Sequence, residues 1–220
     1  MTRFALIPSV IAAALLLSPT LASATVSVCD ATSGNLVTNC GFEAGVVSST
    51  LGGFTDALAP ADWTLNVAFD QFNGFNQVVG NPINTGVNAL KIGNLDADPA
   101  ATISKVLTDT PGQSYSGTFF LAYSGTGDSG AHFDAQINGS SVQSVASVSA
   151  FAFTPVTFSF LGTGSDVLTL GGNTNPGDWF LDDISVVAAP VPETTSSLIF
   201  LSGLVLLGTI VRRRGANSLT

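Results

Sequence analysis

The sequence predicts an all-β fold, an antiparallel jelly-roll β-sandwich. Three observations predict it. The middle of the 220-residue chain is rich in Gly, Ser, Thr, Asn, Val and Phe and poor in Lys, Glu and Arg, the residues that decorate soluble helices. Its short apolar stretches alternate with a period of two, and no long stretch shows a 3.6-residue period. Turn residues recur between those stretches at short intervals.

Taken in order, the strand pattern starts at Asn35 and ends at Val187, with about ten candidate strands between them. Asn35 to Glu43 reads as the first strand, and Gly45 to Ala61 reads as a long loop. Tyr115, Phe119, Leu121 and Tyr123 share one strand face, with Gly117 among them. Phe133, Ala135 and Ile137 share another, and Val156, Phe158 and Phe160 a third. Asn138-Gly139 sits between two strand-like segments and predicts a type I′ hairpin turn. Pro111-Gly112, Gly125-Thr126-Gly127, Gly162-Thr163-Gly164 and Gly171-Gly172-Asn173 mark other turns. Trp63 and Trp179 sit beside strand patterns and read as core or core-edge residues. There is no internal repeat.

Both ends differ from the middle. Residues 1–24 read as a signal peptide: Arg3 is its charge, Phe4 to Leu17 its apolar region, and Ala22-Ser23-Ala24 its small-residue cleavage site. Ser18, Pro19 and Thr20 end the apolar run before it could span a bilayer. At the other end, residues 190–215 form a separate unit. Its stretch 194–211 is uncharged and would span roughly 27 Å as a transmembrane helix. Arg212, Arg213 and Arg214 follow and should stay cytoplasmic. Residues 25–189 are then the single folded domain, flanked by a signal helix and a transmembrane helix.

The charge excludes several partners. Between Thr25 and Val191 there are two lysines and fourteen acidic residues, a formal charge of 2 − 14 = −12. Such a domain repels phosphate backbones and anionic headgroups, leaving divalent cations and neutral sugars as partners. Cys29 and Cys40 are the two cysteines, and export makes a disulfide the natural reading, with metal ligation the weaker alternative.

Val191-Pro192-Glu193, the apolar segment ending at Val211, and Arg212-Arg213-Arg214 together resemble the PEP-CTERM sorting signal of Gram-negative bacteria. That resemblance implies an exosortase-type processing enzyme as partner. It also implies transient or permanent inner-membrane anchoring, then a place at the cell surface or in the extracellular matrix. Thr194 stands where the second proline of the motif is expected, which makes processing the step to test. The domain resembles secreted galactose-binding-like jelly rolls and carbohydrate-binding modules. The residues that carry this are Asn35 to Glu43, Trp63-Thr64, and Trp179 to Val187. The resemblance implies a structural calcium on Glu43, Asp182 and Asp183, and exopolysaccharide as a possible ligand class.

Other motifs are weaker. Asn94, Asp96 and Asp98 have the spacing that opens an EF-hand loop, but Pro99 and Lys105 stand where glycine and glutamate are needed, so a solvated acidic loop is the better reading. Gly127-Asp128-Ser129-Gly130 resembles a serine-protease nucleophile motif, yet the one histidine, His132, is three residues away on a strand. No carboxylate pair carries a glycosidase signature. For sugar binding, Phe72, Asn73, Phe75 and Asn76 combine aromatic platforms with amides. The sequence therefore predicts a non-catalytic surface or matrix protein, with a purely structural matrix component and a secreted hydrolase as alternatives.

Overall fold

The computed structural model describes residues 26–51, 54–66, 68, 76–94, 100–126, 130–146, 149–174 and 177–190. The expected signal peptide with Ala22 and Ala24 lies outside them, as does the tail with Val191, Pro192, Glu193 and Arg212 to Arg214. So do Phe72, Asn73, Phe75, Asp96, Asp98, Asp128 and Ser129. Among the described residues, no helix is long and apolar enough to cross a membrane.

The chain forms a β-sandwich of two antiparallel sheets. The first sheet has the order β10 (Ser149–Leu161), β7 (Ser114–Thr126), β12 (Trp179–Ala188), β5 (Ala89–Ile92) and β4 (Gln77–Val79). The second has the order β3 (Thr64–Leu65), β6 (Ala101–Leu107), β11 (Asp166–Asn173), β8 (His132–Ile137) and β9 (Ser140–Ala146). A separate ribbon pairs β1 (Val46–Leu51) with β2 (Phe54–Pro60).

Period-two alternation places the core. Phe119, Leu121 and Tyr123 of β7 and Trp179 and Leu181 of β12 point inward from one sheet. Phe133 and Ala135 of β8 and Leu168 and Leu170 of β11 meet them from the other. Trp179 is fully buried against Tyr123, with ring centroids 4.5 Å apart, and donates its Nε1 hydrogen to Asn173 O at 3.1 Å. Trp63 is also buried and donates to Asn39 O at 3.1 Å. A buried tryptophan needs such an acceptor for its one polar group.

Two local features explain the register. Asn138 and Gly139 have φ of 52° and 78°, and Ile137 pairs directly with Ser140, so the turn is the two-residue type that the sequence predicts. Gly117 pairs with Phe158 across β7 and β10. The Phe158 ring lies over that glycine, so a Cβ there would sit under 3.0 Å from three ring atoms. Gly117 is therefore the space that lets Phe158 reach the core.

Two expectations need correction. Asn35 to Glu43 is not a strand but a series of turns laid along β12. Leu36 N donates to Val186 O and Ile184 N to Cys40 O, while the positive φ of Asn39 and Phe42 prevents continuous extension. Gly45 to Ala61 is not a plain loop, because 46–60 contains the β1–β2 ribbon. Its alternation is hard to see in the sequence because Val46, Val47 and Leu58 are exposed rather than directed into a core. The cysteines do form the expected disulfide, Cys29 to Cys40.

Candidate functional site

β12 carries the residues that organise the site. Its pairing with β7 shifts register between Asp182 and Ser185, and Asp183 sits there with φ of 48°. The interruption turns Asp182 and Asp183 toward the segment 84–85. Asp182 Oδ2 accepts from Asn84 N at 2.8 Å and Thr85 N at 3.3 Å, and its Oδ1 accepts from Asp183 N at 2.8 Å. Asp183 accepts from the Thr85 hydroxyl at 2.7 Å, from Asn84 Nδ2 at 2.7 Å, and from the Ser27 hydroxyl. Cys29 N adds a longer bond of 3.4 Å from the disulfide-bearing segment. Glu43 grips the same segment further on, accepting from Val87 N at 2.8 Å and Asn88 N at 3.0 Å. Three carboxylates from two distant parts of the chain thus fix residues 84–88.

Both aspartates are buried, and this has an electrostatic cost. Burial pushes the Asp182 carboxyl up to about 7, and the Asp183 charge adds to the rise. The amide donors of Asn84, Asp183 and Thr85 oppose it without cancelling it. No cationic side chain is among the groups acting on Asp182.

The oxygens gathered here come from two carboxylates and two hydroxyls, a set that suits a hard cation such as calcium, while the Asn84 amide turns its Nδ2 toward Asp183. A cation would also offset the adjacent buried charges. The fit is incomplete for the full expected trio. The described group of three metal-ligating side chains within 4.8 Å of one another is Cys29, Asp30 and Cys40, not Glu43 with Asp182 and Asp183. Glu43 meets the segment at 87–88 while the aspartates meet it at 84–85, so Asp182 and Asp183 would hold an ion and Glu43 would shape the loop. The Cys29 group itself is engaged as the disulfide.

The clamped segment ends in Pro82 and Ile83 on its other side, and these form one wall of a cavity of about 320 Å³. Phe180 and Ala122 face it from the outer surface of the first sheet, and Phe151, Ala152 and Phe153 wall it from β10. Tyr123 and Ser124 complete it. The register places Gln77, Lys91, Phe180 and Ala122 in one row across β4, β5, β12 and β7. Ser124 of the lining is held in place by Asp178. Asp178 N donates to the Ser124 hydroxyl at 2.9 Å, and Ser124 N donates to Asp178 O at 3.0 Å. Burial raises the Asp178 carboxyl above its ordinary range, opposed by the charge of Lys91.

The residues singled out by sequence fall in different places. Glu43, Asp182 and Asp183 meet the same segment. Asn76 is buried rather than presented to a ligand. Its Nδ2 donates to Asn94 Oδ1 at 2.9 Å, and its Oδ1 accepts from Gly93 N at 2.7 Å. Asn94 is buried too, and its Nδ2 donates to Ala68 O at 3.1 Å. Lys105 stands over the Trp63 ring at 5.3 Å and donates to Asp62 O at 2.7 Å. His132 heads β8, with Nδ1 3.1 Å from Gly130 O.

Sequence reasoning missed Phe180 and Phe153. A signal was present: Trp179-Phe180-Leu181 places three apolar residues in succession within a strand. Alternation then puts Phe180 on the outer face, where it is nonetheless buried. An apolar residue on an outer face requires a cover, and the cover is the cavity wall.

No family model matches the chain. No curated protein matches it either. Among solved structures, it is similar to a family 61 carbohydrate-binding module, TmCBM61, in complex with β-1,4-galactotriose. The identity is 19%, the TM-score 0.46, and the match covers 71% of this chain and 100% of that one. It is similar to the CBM22-1 xylan-binding domain of Paenibacillus barcinonensis Xyn10C, at 15% identity and TM-score 0.39, over 69% of this chain and 92% of that one. A third likeness is to the CBM22-1–GH10 modules of a Clostridium thermocellum endo-1,4-β-D-xylanase complexed with xylohexaose. There the identity is 16% and the TM-score 0.47, over 72% of this chain but 29% of that one. At these identities and scores, no binding residue of those proteins is carried over to this chain.

Proposed function

We propose that this is an exported, non-catalytic cell-surface or matrix protein whose β-sandwich is a jelly roll that binds a neutral glycan. The observation that carries the reading is the cavity beside Phe180. The partly buried rings of Phe151 and Phe153 beside Phe180 receive the apolar face of a sugar ring, and Ser124 in the same lining supplies a polar group for its hydroxyls. The net negative charge of the domain favours a neutral polymer over an acidic one. The chain's passage between sheets from β3 to β4, β5 to β6, β6 to β7, β7 to β8, β9 to β10, β10 to β11 and β11 to β12 supports the jelly-roll reading. Export by residues 1–24 and sorting by the PEP-CTERM-like tail through an exosortase are part of the same proposal.

A neutral-oligosaccharide array probed with the purified protein tests it. Saturable binding to a neutral glycan class supports the reading. Absence of binding across the array leaves the structural matrix component as the better account. Turnover of a bound oligosaccharide would establish a hydrolase instead. Calcium at Asp182 and Asp183 is proposed with it. Chelator should lower the melting temperature of the protein and added calcium restore it, whereas an unchanged melting curve argues against the ion.

A further inference from the structure

The cavity beside Phe180 is poor in side-chain groups that could meet a sugar hydroxyl. No side chain of its lining carries a charge or a nitrogen donor. Two of its residues have hydroxyls. Tyr123 packs its ring against Trp179 in the core, and its hydroxyl accepts from Thr174 Oγ1 at 3.3 Å. Ser124 Oγ accepts from Asp178 N at 2.9 Å, which leaves it one acceptor lone pair for a ligand. The rest of the lining is Phe, Ala, Ile and Pro.

Its shape is equally selective. At about 320 Å³ it lies at the small end of the ligand-pocket range of roughly 300–1,000 Å³. Phe180 and Ala122 form its floor, Pro82 and Ile83 one wall, and Phe151 and Phe153 the other. A flat sugar face stacks on a single open ring, whereas a pocket walled on two sides takes a group that projects. The Pro82–Ile83 wall is fixed by its neighbours, because Asn84 N donates to Asp182 at 2.8 Å and Thr85 Oγ1 to Asp183 at 2.7 Å. The pocket is therefore formed before a ligand arrives, and binding orders little of it.

A hydroxyl buried here without a partner loses its hydrogen bonds to water and gains none. A hexopyranose projects hydroxyls and a C6 hydroxymethyl group. In a 6-deoxyhexose C6 is a methyl group, a projecting part that needs no hydrogen bond. An acetyl group also carries a methyl, but its carbonyl needs a donor. The lining has no side-chain N–H, and the Ser124 hydroxyl faces Asp178 O at 3.4 Å. We propose, resting on the glycan reading of this cavity, that it is a methyl pocket selecting a neutral 6-deoxyhexose. The C6 methyl sits among Phe180, Ile83 and Phe153, and the hydroxyls of the ring stay at the solvent side near Ser124.

Matched sugars that differ only at C6 test this: L-rhamnose against L-mannose, and L-fucose against L-galactose. In saturation-transfer NMR with the purified protein, the C6 methyl protons should be the most strongly saturated of the deoxy sugar. In at least one pair, affinity for the deoxy sugar should exceed that for its partner by about five- to a hundredfold, the effect of one unpartnered buried hydroxyl. A152S, which adds a hydroxyl at an exposed position of the lining, should narrow that preference. F153A should abolish the methyl saturation, with circular dichroism checking that both variants are folded. Equal affinities within both pairs, or a preference for the hydroxymethyl sugars, overturn the methyl pocket. If neutral oligosaccharides still bind in a manner sensitive to F153A, the glycan reading survives that result. A protein that binds no neutral sugar overturns both.

Discussion

Substituting Gly117 by alanine tests the packing of the sandwich at one atom. In a strand interior, alanine is intrinsically favoured over glycine by about 0.5–1 kcal/mol. The structure predicts the opposite sign here. The new Cβ would lie under 3.0 Å from three atoms of the Phe158 ring. That ring has little room to move. It is 6% exposed, and its centroid is 6.2 Å from that of Phe119 and 6.3 Å from that of Phe160. Overpacking of this kind costs about 1–3 kcal/mol. In a domain of this size, that lowers the melting temperature by roughly 2–12 °C. Thermal unfolding followed by near-ultraviolet circular dichroism reads the change. The decisive comparison is the same substitution in an F158A background. With the ring gone, G117A should become neutral or stabilising, which gives a coupling energy between the two sites. Equal effects of G117A with and without Phe158 would refute the reasoning.

Other expectations follow from the same structure. Replacing Cys29 and Cys40 together by alanine opens a loop with a sequence separation of 11 and should cost about 3 kcal/mol, read from urea midpoints. It should also loosen the Ser27 and Cys29 contacts to Asp183. Asp182 makes stability depend on pH in a defined direction. Its carboxyl is raised from near 4 to about 7, so the folded protein holds a proton that the unfolded chain releases. Stability in chelator should therefore fall as pH rises from about 4 to about 7, and D182N should flatten that slope. Asp166 acts at the other extreme. Burial works to raise its carboxyl, but donors from Thr163 and Asn138 and a bond with Asp109 outweigh it and lower the group to about 2. Its contribution should be present at neutral pH and be lost as pH falls through about 2, an acid limb that D166N removes.

Much of the sandwich was legible in the sequence because its signals are local. Phe133, Ala135 and Ile137 alternate cleanly, and Asn138-Gly139 can adopt the positive φ of a tight hairpin, so β8 and β9 follow from neighbouring residues alone. The segment Asn35 to Glu43 misled for a physical reason. Val37, Cys40 and Phe42 are buried, as in a strand, but the disulfide and the positive φ at Asn39 and Phe42 wind the segment into turns. The ribbon at 46–60 misled in the reverse way, since its exposed valines lack a core-facing pattern. Within the candidate site, Asp182, Asp183 and Glu43 could be named from their motifs. Their common target could not, because Asn84 and Thr85 lie 98 and 97 residues from Asp182. The Phe180 cavity needs β10, β12 and the clamped segment at once, and no single stretch of sequence contains it.

The central claim is that the cavity beside Phe180 takes a neutral sugar. Isothermal titration of wild type and F153A with the best array oligosaccharide tests it most directly. Phe153 lines the cavity and is only partly buried, so its truncation should spare the fold. Stacking on such a ring contributes about 0.5–1.5 kcal/mol. F153A should therefore lose about two- to twelvefold in affinity with an unchanged melting temperature. Undiminished affinity in that variant would contradict it and place the glycan site elsewhere on the molecule.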